Sequence, residues 1–290
     1  MEHNISQSSP IGIFDSGIGG LTVAKAVMDA LPGEDIIYFG DSARVPYGIK
    51  SQETVRIYSN QIARFLLNKG VKMIIIACNT ASAAAHDSVQ ALAGEVPVLN
   101  VIESGTKAAI RSGKKHIGVI GTLATIGSGA YEKSLKNADQ TITVKSNACP
   151  LLVPLAEEGW IDNEVTRKTI EIYLSPFKNN GVEALILGCT HYPLFKQSIQ
   201  DFFEGKELDL IDSAESVAKS AKKRLDKLHL LNYANKPGTL TCFVSDRPQR
   251  FNELAERFLG REPESIIVES LRDFEDELTV GRMKIAEFAE

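Results

Sequence analysis

The sequence has 290 residues, of which 43% are hydrophobic and 24% are charged, and its formal net charge is −5 at pH 7. This composition is typical of a folded protein with a substantial core in one or two domains, and the negative charge gives no general attraction for nucleic acid or an anionic membrane. The polar start MEHNISQSSP, and the absence of an apolar run near the ~20 residues that a membrane helix needs, predict a cytoplasmic protein.

The first hundred residues alternate between short apolar runs and helical patterns. Strands are predicted at residues 11–14, 35–40 and 72–77, and helices at 21–31, 51–69 and from about residue 81. Strands without polar alternation, separated by helices, predict a parallel sheet covered on both faces, and hence an α/β fold. Ligands of such sheets bind beyond the carboxyl ends of the strands, and Cys78 directly follows the third predicted strand.

The same order of elements recurs after residue 115. A strand is predicted from residue 116, followed by helices around 129–137 and 163–179, a strand at 140–145, and a strand from 184 that ends at Cys189. Aligning the two stretches places Ile11 on Ile117 and Cys78 on Cys189. A cysteine at the same strand end in both stretches favours an internal duplication over a chance likeness of apolar patterns.

A third section completes the chain. Its predicted strands are 207–212, 239–246 and 265–270, and its predicted helices are about 214–228 and 248–259. Domain boundaries are expected near residues 100–105 and near residue 210.

Cys78 and Cys189 are the candidates for chemistry. A cysteine between a strand end and a helix N-terminus is expected to have a lowered pKa, because the helix dipole stabilises the thiolate. Two such thiols on opposite sides of a cleft suit the removal of a proton from one face of a carbon and the delivery of a proton to the other. Asp15 and His191 are predicted in the same layer, where each can assist a proton transfer.

Other motifs favour binding over further chemistry. Residues 79–82 (NTAS) and 190–191 (TH) offer hydroxyls and backbone N–H groups that suit a carboxylate or phosphate. The stretch DSGIGG at 15–20 matches neither common phosphate-loop pattern, so its glycines are expected to permit a tight turn and close substrate approach. Cys149 and Cys242 are predicted to be packing residues. No metal is expected, because a histidine two residues after a cysteine is an unusual ligand pair.

Six motifs spread along the chain carry a family resemblance. They are IGIFDSGIGGLTV (11–23), YFGDSARVPYG (38–48), IIACNTASA (75–83), IGVIGTLAT (117–125), CPLLVPLAEEG (149–159) and ILGCTHYPL (186–194). With them the sequence closely resembles glutamate racemases, the cofactor-independent amino-acid racemases of bacterial cell-wall synthesis within the aspartate/glutamate racemase family.

The resemblance implies a fold and an activity. It implies two pseudo-symmetric α/β domains with mainly parallel sheets, formed by residues 1–102 with 213–290 and by residues 103–212, with the active site in the cleft between them. It implies interconversion of L- and D-glutamate without a cofactor, supplying D-glutamate for peptidoglycan synthesis. It also suggests a homodimer, with no nucleic-acid or membrane partner.

The resemblance also implies roles for individual residues. Cys78 is expected to act on the D-enantiomer with Asp15 as its helper. Cys189 is expected to act on the L-enantiomer with His191 as its helper, and Glu157 is expected to orient His191. The expected substrate-binding residues are Asp15, Ser16, Tyr47, Gly48, Asn79, Thr80, Thr122, Thr190 and His191.

Two alternatives stay open at this point. One is a racemase of aspartate or another acidic amino acid, since first principles do not decide the substrate's chain length. The other is a two-lobed amino-acid-binding protein, which needs no thiols.

Overall fold

The computed structural model describes residues 5–178, 180–234 and 236–274. The strands in these residues are β1 (Ile11–Asp15), β2 (Ile36–Gly40), β3 (Met73–Ile76), β4 (Val98–Asn100), β5 (His116–Gly121), β6 (Thr143–Ala148), β7 (Ala184–Gly188), β8 (Asp209–Ile211), β9 (Leu240–Val244) and β10 (Ser265–Val268). They form one six-stranded and one four-stranded sheet, and every strand pair is parallel. The predicted α/β class with parallel sheets is therefore confirmed.

Helices connect these strands. They are α1 (Leu21–Ala30), α2 (Gln52–Asn68), α3 (Asn79–Ala93), α4 (Val101–Arg111), α5 (Leu123–Gly127), α6 (Ala130–Ala138), α7 (Leu152–Glu157), α8 (Glu164–Lys178), α9 (Lys196–Phe202), α10 (Ser213–Lys227) and α11 (Pro248–Leu259). Short 3-10 turns lie at Tyr47–Ile49, Tyr192–Phe195 and Arg272–Phe274. None of the described helices is long and apolar enough to cross a membrane.

The two sheets share one strand order. The larger sheet runs β10-β9-β2-β1-β3-β4 and the smaller runs β6-β5-β7-β8. The segment β2-β1-β3-β4 therefore matches the whole smaller sheet, with β1 and β5 in equivalent positions. This agrees with the duplication inferred from the aligned cysteines. The C-terminal strands β9 and β10 extend the larger sheet beside β2.

Burial explains which strands the sequence shows clearly. All residues of β1, β3 and β7 are buried, so these strands read as uninterrupted apolar runs. In contrast, β6 (TVKSNA) has no fully buried residue, and it lies at the edge of the smaller sheet. The predicted strand at 140–145 is accordingly displaced to Thr143–Ala148. The elements β4, α4, α5, α7 and α9 are absent from the predictions.

Helix α10 joins the two halves of the molecule. It packs against α1, which precedes β2 of the larger sheet, and against α4, which precedes β5 of the smaller sheet. Val217 and Leu225 of α10 belong to the same apolar cluster as Val27 of α1 and Leu187 of β7. We propose two domains, of residues 1–102 with 213–290 and of residues 103–212, because each sheet lies within one of these ranges. Residues 275–290 lie outside the described residues.

Candidate active site

A cavity of about 300 Å³ lies at the carboxyl ends of both sheets. Both sheets contribute to its wall, because Cys78 follows β3 of the larger sheet and Cys189 follows β7 of the smaller one. The predicted site residues that line it are Ser16, Tyr47, Gly48, Cys78, Asn79, Thr80, Thr122, Glu157, Cys189, Thr190 and His191. Sequence positions from 16 to 191 thus meet at one site.

Cys78 is a buried thiol at the start of α3. It is the N-cap of that helix, and its Sγ accepts a hydrogen bond from Ala81 N at 3.4 Å. Burial and the negative charge of Asp15 raise the pKa of Cys78 to about 12, although hydrogen bonds with Ala81 and Ser16 act against this rise. The expected lowering of the Cys78 pKa by the helix N-terminus is therefore wrong, because burial outweighs the helix dipole. At neutral pH Cys78 carries its proton.

Cys189 has a different environment. A 3-10 turn, Tyr192–Phe195, follows it where Cys78 is followed at once by a fifteen-residue helix. Its Sγ lies 3.8 Å from Nδ1 of His191, and Nε2 of His191 lies 3.1 Å from Oε1 of Glu157. Cys189 is thus next to His191, which is in turn paired with Glu157. The neighbouring Glu158 turns away to form an ion pair with Arg250 at 3.1 Å.

His191 is held in its charged form. Burial alone lowers the pKa of His191, but its hydrogen bonds with Cys189 and Glu157 raise that pKa to about 10. The ring also packs edge-on against Phe258, with 5.1 Å between ring centroids. A positive ring beside Cys189 stabilises negative charge that develops on that sulfur.

Asp15 lies behind the cavity wall and does not line it. Its side chain is fully buried, Oδ2 accepts a hydrogen bond from Gly17 N at 3.0 Å, and Oδ1 has no hydrogen-bond partner among the described residues. Burial raises the pKa of Asp15, and the charge of His191 opposes that rise. The negative charge of Asp15 thus acts on both Cys78 and His191. Direct contact between Asp15 and the substrate, expected from the resemblance, stays a prediction.

Hydroxyl groups connect the two sides of the cavity. Thr80, at the start of α3, shares hydrogen bonds with Thr122 at 3.0 Å and Thr125 at 3.1 Å on the smaller-sheet side. Thr122 also caps α5 through Thr125 N at 3.1 Å, and Asn79 Oδ1 accepts a hydrogen bond from Tyr131 at 2.7 Å. These contacts fix polar groups at two helix starts, where backbone N–H groups can receive a carboxylate.

Two glycines allow the halves to approach closely. A Cβ on Gly48 would lie 2.7 Å from Thr122 Cβ, and a Cβ on Gly19 would lie 2.5 Å from His191 Nδ1. Gly19 has no positive φ. Gly19 does lie in a turn, as predicted, and contact with the other half of the molecule is a further reason for glycine there, because it leaves no room for a side chain.

Sequence reasoning missed the apolar part of the cavity wall. It consists of Val45, Pro46, Ile49, Leu123, Pro150, Val153 and Pro154. Val45, Ile49 and Leu123 are 45%, 69% and 52% exposed, so no burial pattern marks them. Asp41 was also missed: this fully buried carboxylate accepts hydrogen bonds from Tyr47 Oη and, at 2.7 Å, from Arg44 Nε.

Cys149 and Cys242 stay outside the cavity wall and are buried, as predicted for packing residues. Burial raises the pKa of both thiols, that of Cys242 to about 12. Among the described residues, no group of three or more histidine, cysteine, aspartate or glutamate side chains is placed to hold a metal ion.

Comparison with known proteins adds a family assignment. A family model described as Asp/Glu/Hydantoin racemase matches residues 21–221. The glutamate racemase of Chlorobaculum tepidum is 50% identical over 262 residues, which are 90% of this chain and 96% of that protein. The glutamate racemase of Syntrophus aciditrophicus is 48% identical over 262 residues, with the same coverage of the two chains.

A solved structure has the same fold. The crystal structure of glutamate racemase from Francisella tularensis in complex with D-glutamate superposes with a TM-score of 0.87. It is 42% identical in sequence, and the match covers 92% of this chain and 99% of that chain. The similarity thus extends over nearly the whole length of both chains.

Proposed function

Because this chain belongs to the Asp/Glu/Hydantoin racemase family, we propose that it is an enzyme that interconverts L-glutamate and D-glutamate through two cysteines. One observation carries the proposal. Thiols from equivalent strand ends of two similar sheets line one cavity, and each has a different acid–base neighbour.

The proposed reaction from L-glutamate begins at Cys189. Its thiolate, facing the charged ring of His191, removes the α-proton from one face of the substrate. Cys78 then donates its thiol proton to the opposite face and gives D-glutamate. Its raised pKa suits this first role, because the thiol is protonated when the substrate arrives.

The reverse reaction requires a Cys78 thiolate. The negative charge of Asp15 raises the pKa of Cys78 and so opposes formation of this thiolate. We propose that Asp15, whose own pKa is raised by burial, accepts the proton of the thiol, which removes that charge, and so serves the D-enantiomer. The charged His191, oriented by Glu157, donates a proton to Cys189, whose thiol then protonates the opposite face of the substrate. In each direction one thiol is the base and the other is the acid, so the proton count balances within the site.

The α-proton of an amino acid is very weakly acidic, so the carbanion-like state needs stabilisation. We propose that the polar cavity wall provides it by holding the two carboxylates and the ammonium group of the substrate. The residues proposed to do this are Ser16, Tyr47, Gly48, Asn79, Thr80, Thr122, Thr190 and His191. With both base and acid supplied by thiols, the proposed reaction needs no pyridoxal phosphate.

Glutamate is the proposed substrate because two relatives that match 90% of this chain are glutamate racemases, and because a similar crystal structure is in complex with D-glutamate. We further propose that the product supplies D-glutamate for peptidoglycan synthesis in the cytoplasm. A homodimer is proposed from the family resemblance alone.

Purified protein without added cofactor is expected to racemise L-glutamate, because the described thiols suffice for both proton transfers. Circular dichroism of a solution of L-glutamate should decay to zero, and a parallel solution of L-aspartate should keep its signal. Decay of the aspartate signal alone would show that the substrate is aspartate and not glutamate. Glutamate binding without any loss of optical activity would instead indicate a binding protein, and a strict requirement for pyridoxal phosphate or a metal would contradict the proposal.

A further inference from the structure

We propose that Arg257 is a positioning residue for the racemase reaction, since it fixes the end of the helix from which Glu157 reaches His191. The role of Arg257 in catalysis rests on the proposed function, whereas its contacts with the Glu157 backbone do not. Arg257 belongs to α11, which follows β9 of the larger sheet, whereas Glu157 and His191 lie on the side of the smaller sheet. The C-terminal section of the chain thus acts across the cleft.

The first support is the hydrogen bonding at the end of α7. The last turn closes with Gly159 N donating to Ala156 O at 3.1 Å and Trp160 N donating to Leu155 O at 2.9 Å. This pattern satisfies the carbonyl groups one turn back and leaves that of Glu157 to find another partner.

Arg257 is that partner. Its Nη1 donates to Glu157 O at 2.5 Å and to Ala156 O at 3.1 Å. A positive charge at a helix C-terminus is also favourable for the helix dipole. The guanidinium group therefore holds the backbone of the residue whose carboxylate contacts His191.

Gly159 provides the space for this contact. It has a φ of +76°, and a Cβ at this position would lie 2.7 Å from Arg257 Nη2. Glycine here both ends the helix and leaves a surface on which the guanidinium packs.

The next residue on α11 contacts the other member of the pair. Phe258 packs edge-on against the His191 ring, with 5.1 Å between ring centroids. Arg257 and Phe258, which are adjacent in α11, thus contact the backbone of Glu157 and the ring of His191. Neither Arg257 nor Phe258 lines the cavity, so their action on substrate goes through that pair.

Arg250 is a matched control on the same helix. Its Nη2 forms a 3.1 Å ion pair with the side chain of Glu158, the residue after Glu157, and its side chain is 45% exposed. It therefore offers the same charge and a nearby partner but no hydrogen bond to the Glu157 backbone among those observed.

The decisive readout is the titration of His191, because a purely structural role would leave it unchanged. The titratable groups that act on His191 are Cys189, Glu157 and Asp15. In wild type, Glu157 helps keep the ring charged. Misplacing the Glu157 carboxylate in Arg257→Met should therefore lower the pH at which the ring loses its proton.

The experiment follows the His191 ring nitrogens by NMR across a pH series, and it measures kcat from L-glutamate. Arg257→Met should move the titration to lower pH and reduce kcat by roughly tenfold, less than the ~10²–10⁴-fold cost of losing the general acid or base itself. Arg257→Lys should restore part of both, and Arg250→Met should change neither. In a Glu157→Gln background, Arg257→Met should have no further effect on the titration.

An unchanged His191 titration in Arg257→Met would overturn the proposal, as would equal changes in the Arg250 variant. If Arg257→Met does not fold, the comparison of Arg257→Lys with wild type decides in the same way. Failure of the wild type to racemise glutamate would remove the proposed function while leaving the NMR result on Arg257 intact, so the two failures are distinguishable.

Discussion

Cys78→Ser and Cys189→Ser are each expected to abolish racemisation of glutamate in both directions. Each thiol is the base in one direction and the acid in the other, so losing either one stops both. A serine hydroxyl is a far weaker acid than a thiol, whose free pKa is ~8.5. Loss of a positioned general acid or base costs ~10²–10⁴-fold, and the rate of optical inversion by polarimetry or circular dichroism measures it.

Each variant should nevertheless still remove the α-proton of one enantiomer. Cys78→Ser should still exchange the α-proton of L-glutamate with solvent deuterium, and Cys189→Ser should still exchange that of D-glutamate. The controls are Cys149→Ser and Cys242→Ser, which are expected to have near-normal activity because both thiols lie outside the cavity wall. Near-normal racemisation by either active-site variant, or an inactive Cys149 variant, would contradict the account.

The second expected result is a directional loss of turnover. Asp15→Asn should lower kcat more when D-glutamate is the substrate, and His191→Asn should lower it more when L-glutamate is the substrate, by roughly 10–100-fold in the affected direction. The reason is that Asp15 acts on Cys78 whereas His191 contacts Cys189. Equal losses of kcat in both directions for both variants would remove this assignment of sides.

The comparison must use kcat. The two enantiomers have equal free energies in water, so kcat/KM falls by the same factor in both directions whichever residue is changed. Initial rates at saturating L- and D-glutamate, measured by circular dichroism on one enzyme preparation, provide the required pair of values.

The stability of the folded protein is a control for the Asp15 variant. Since burial raises the pKa of Asp15 above 3.8, the folded protein binds this proton more tightly than the unfolded chain. The contribution of Asp15 to stability is then greatest at low pH and is lost as the pH rises through the folded-state pKa. Asp15→Asn, which carries no charge, should therefore be at least as stable as wild type at pH 7 by urea unfolding, with less difference near pH 3.8.

The parts of the fold that the sequence predicted well are those fixed by burial of whole segments. Strands β1, β3 and β7 are buried along their length, so continuous apolar runs marked them correctly. Cys78 and Cys189 were located because polar residues follow these runs abruptly. The short elements β4 and α7, of three and six residues, contain too few residues for a periodic pattern.

The electrostatic state of the site was less predictable. A local rule about helix N-termini suggested a lowered pKa for Cys78, but tertiary burial and Asp15 raise it. Arg257 contacts a backbone oxygen 100 residues away in the sequence, a distance at which no local pattern carries information. Val45, Ile49 and Leu123, which form part of the apolar cavity wall, are exposed. No periodic pattern of burial therefore marks them in the sequence.

The most direct test of the two-thiol mechanism is racemisation of L-glutamate in deuterium oxide, followed by mass spectrometry of both enantiomers early in the reaction. If Cys189 removes the proton and Cys78 supplies a different one, the first D-glutamate formed carries one deuterium at the α-carbon while the remaining L-glutamate stays protiated. D-glutamate that retains the original proton would mean that a single group carries it from one face to the other, and that result would contradict the account.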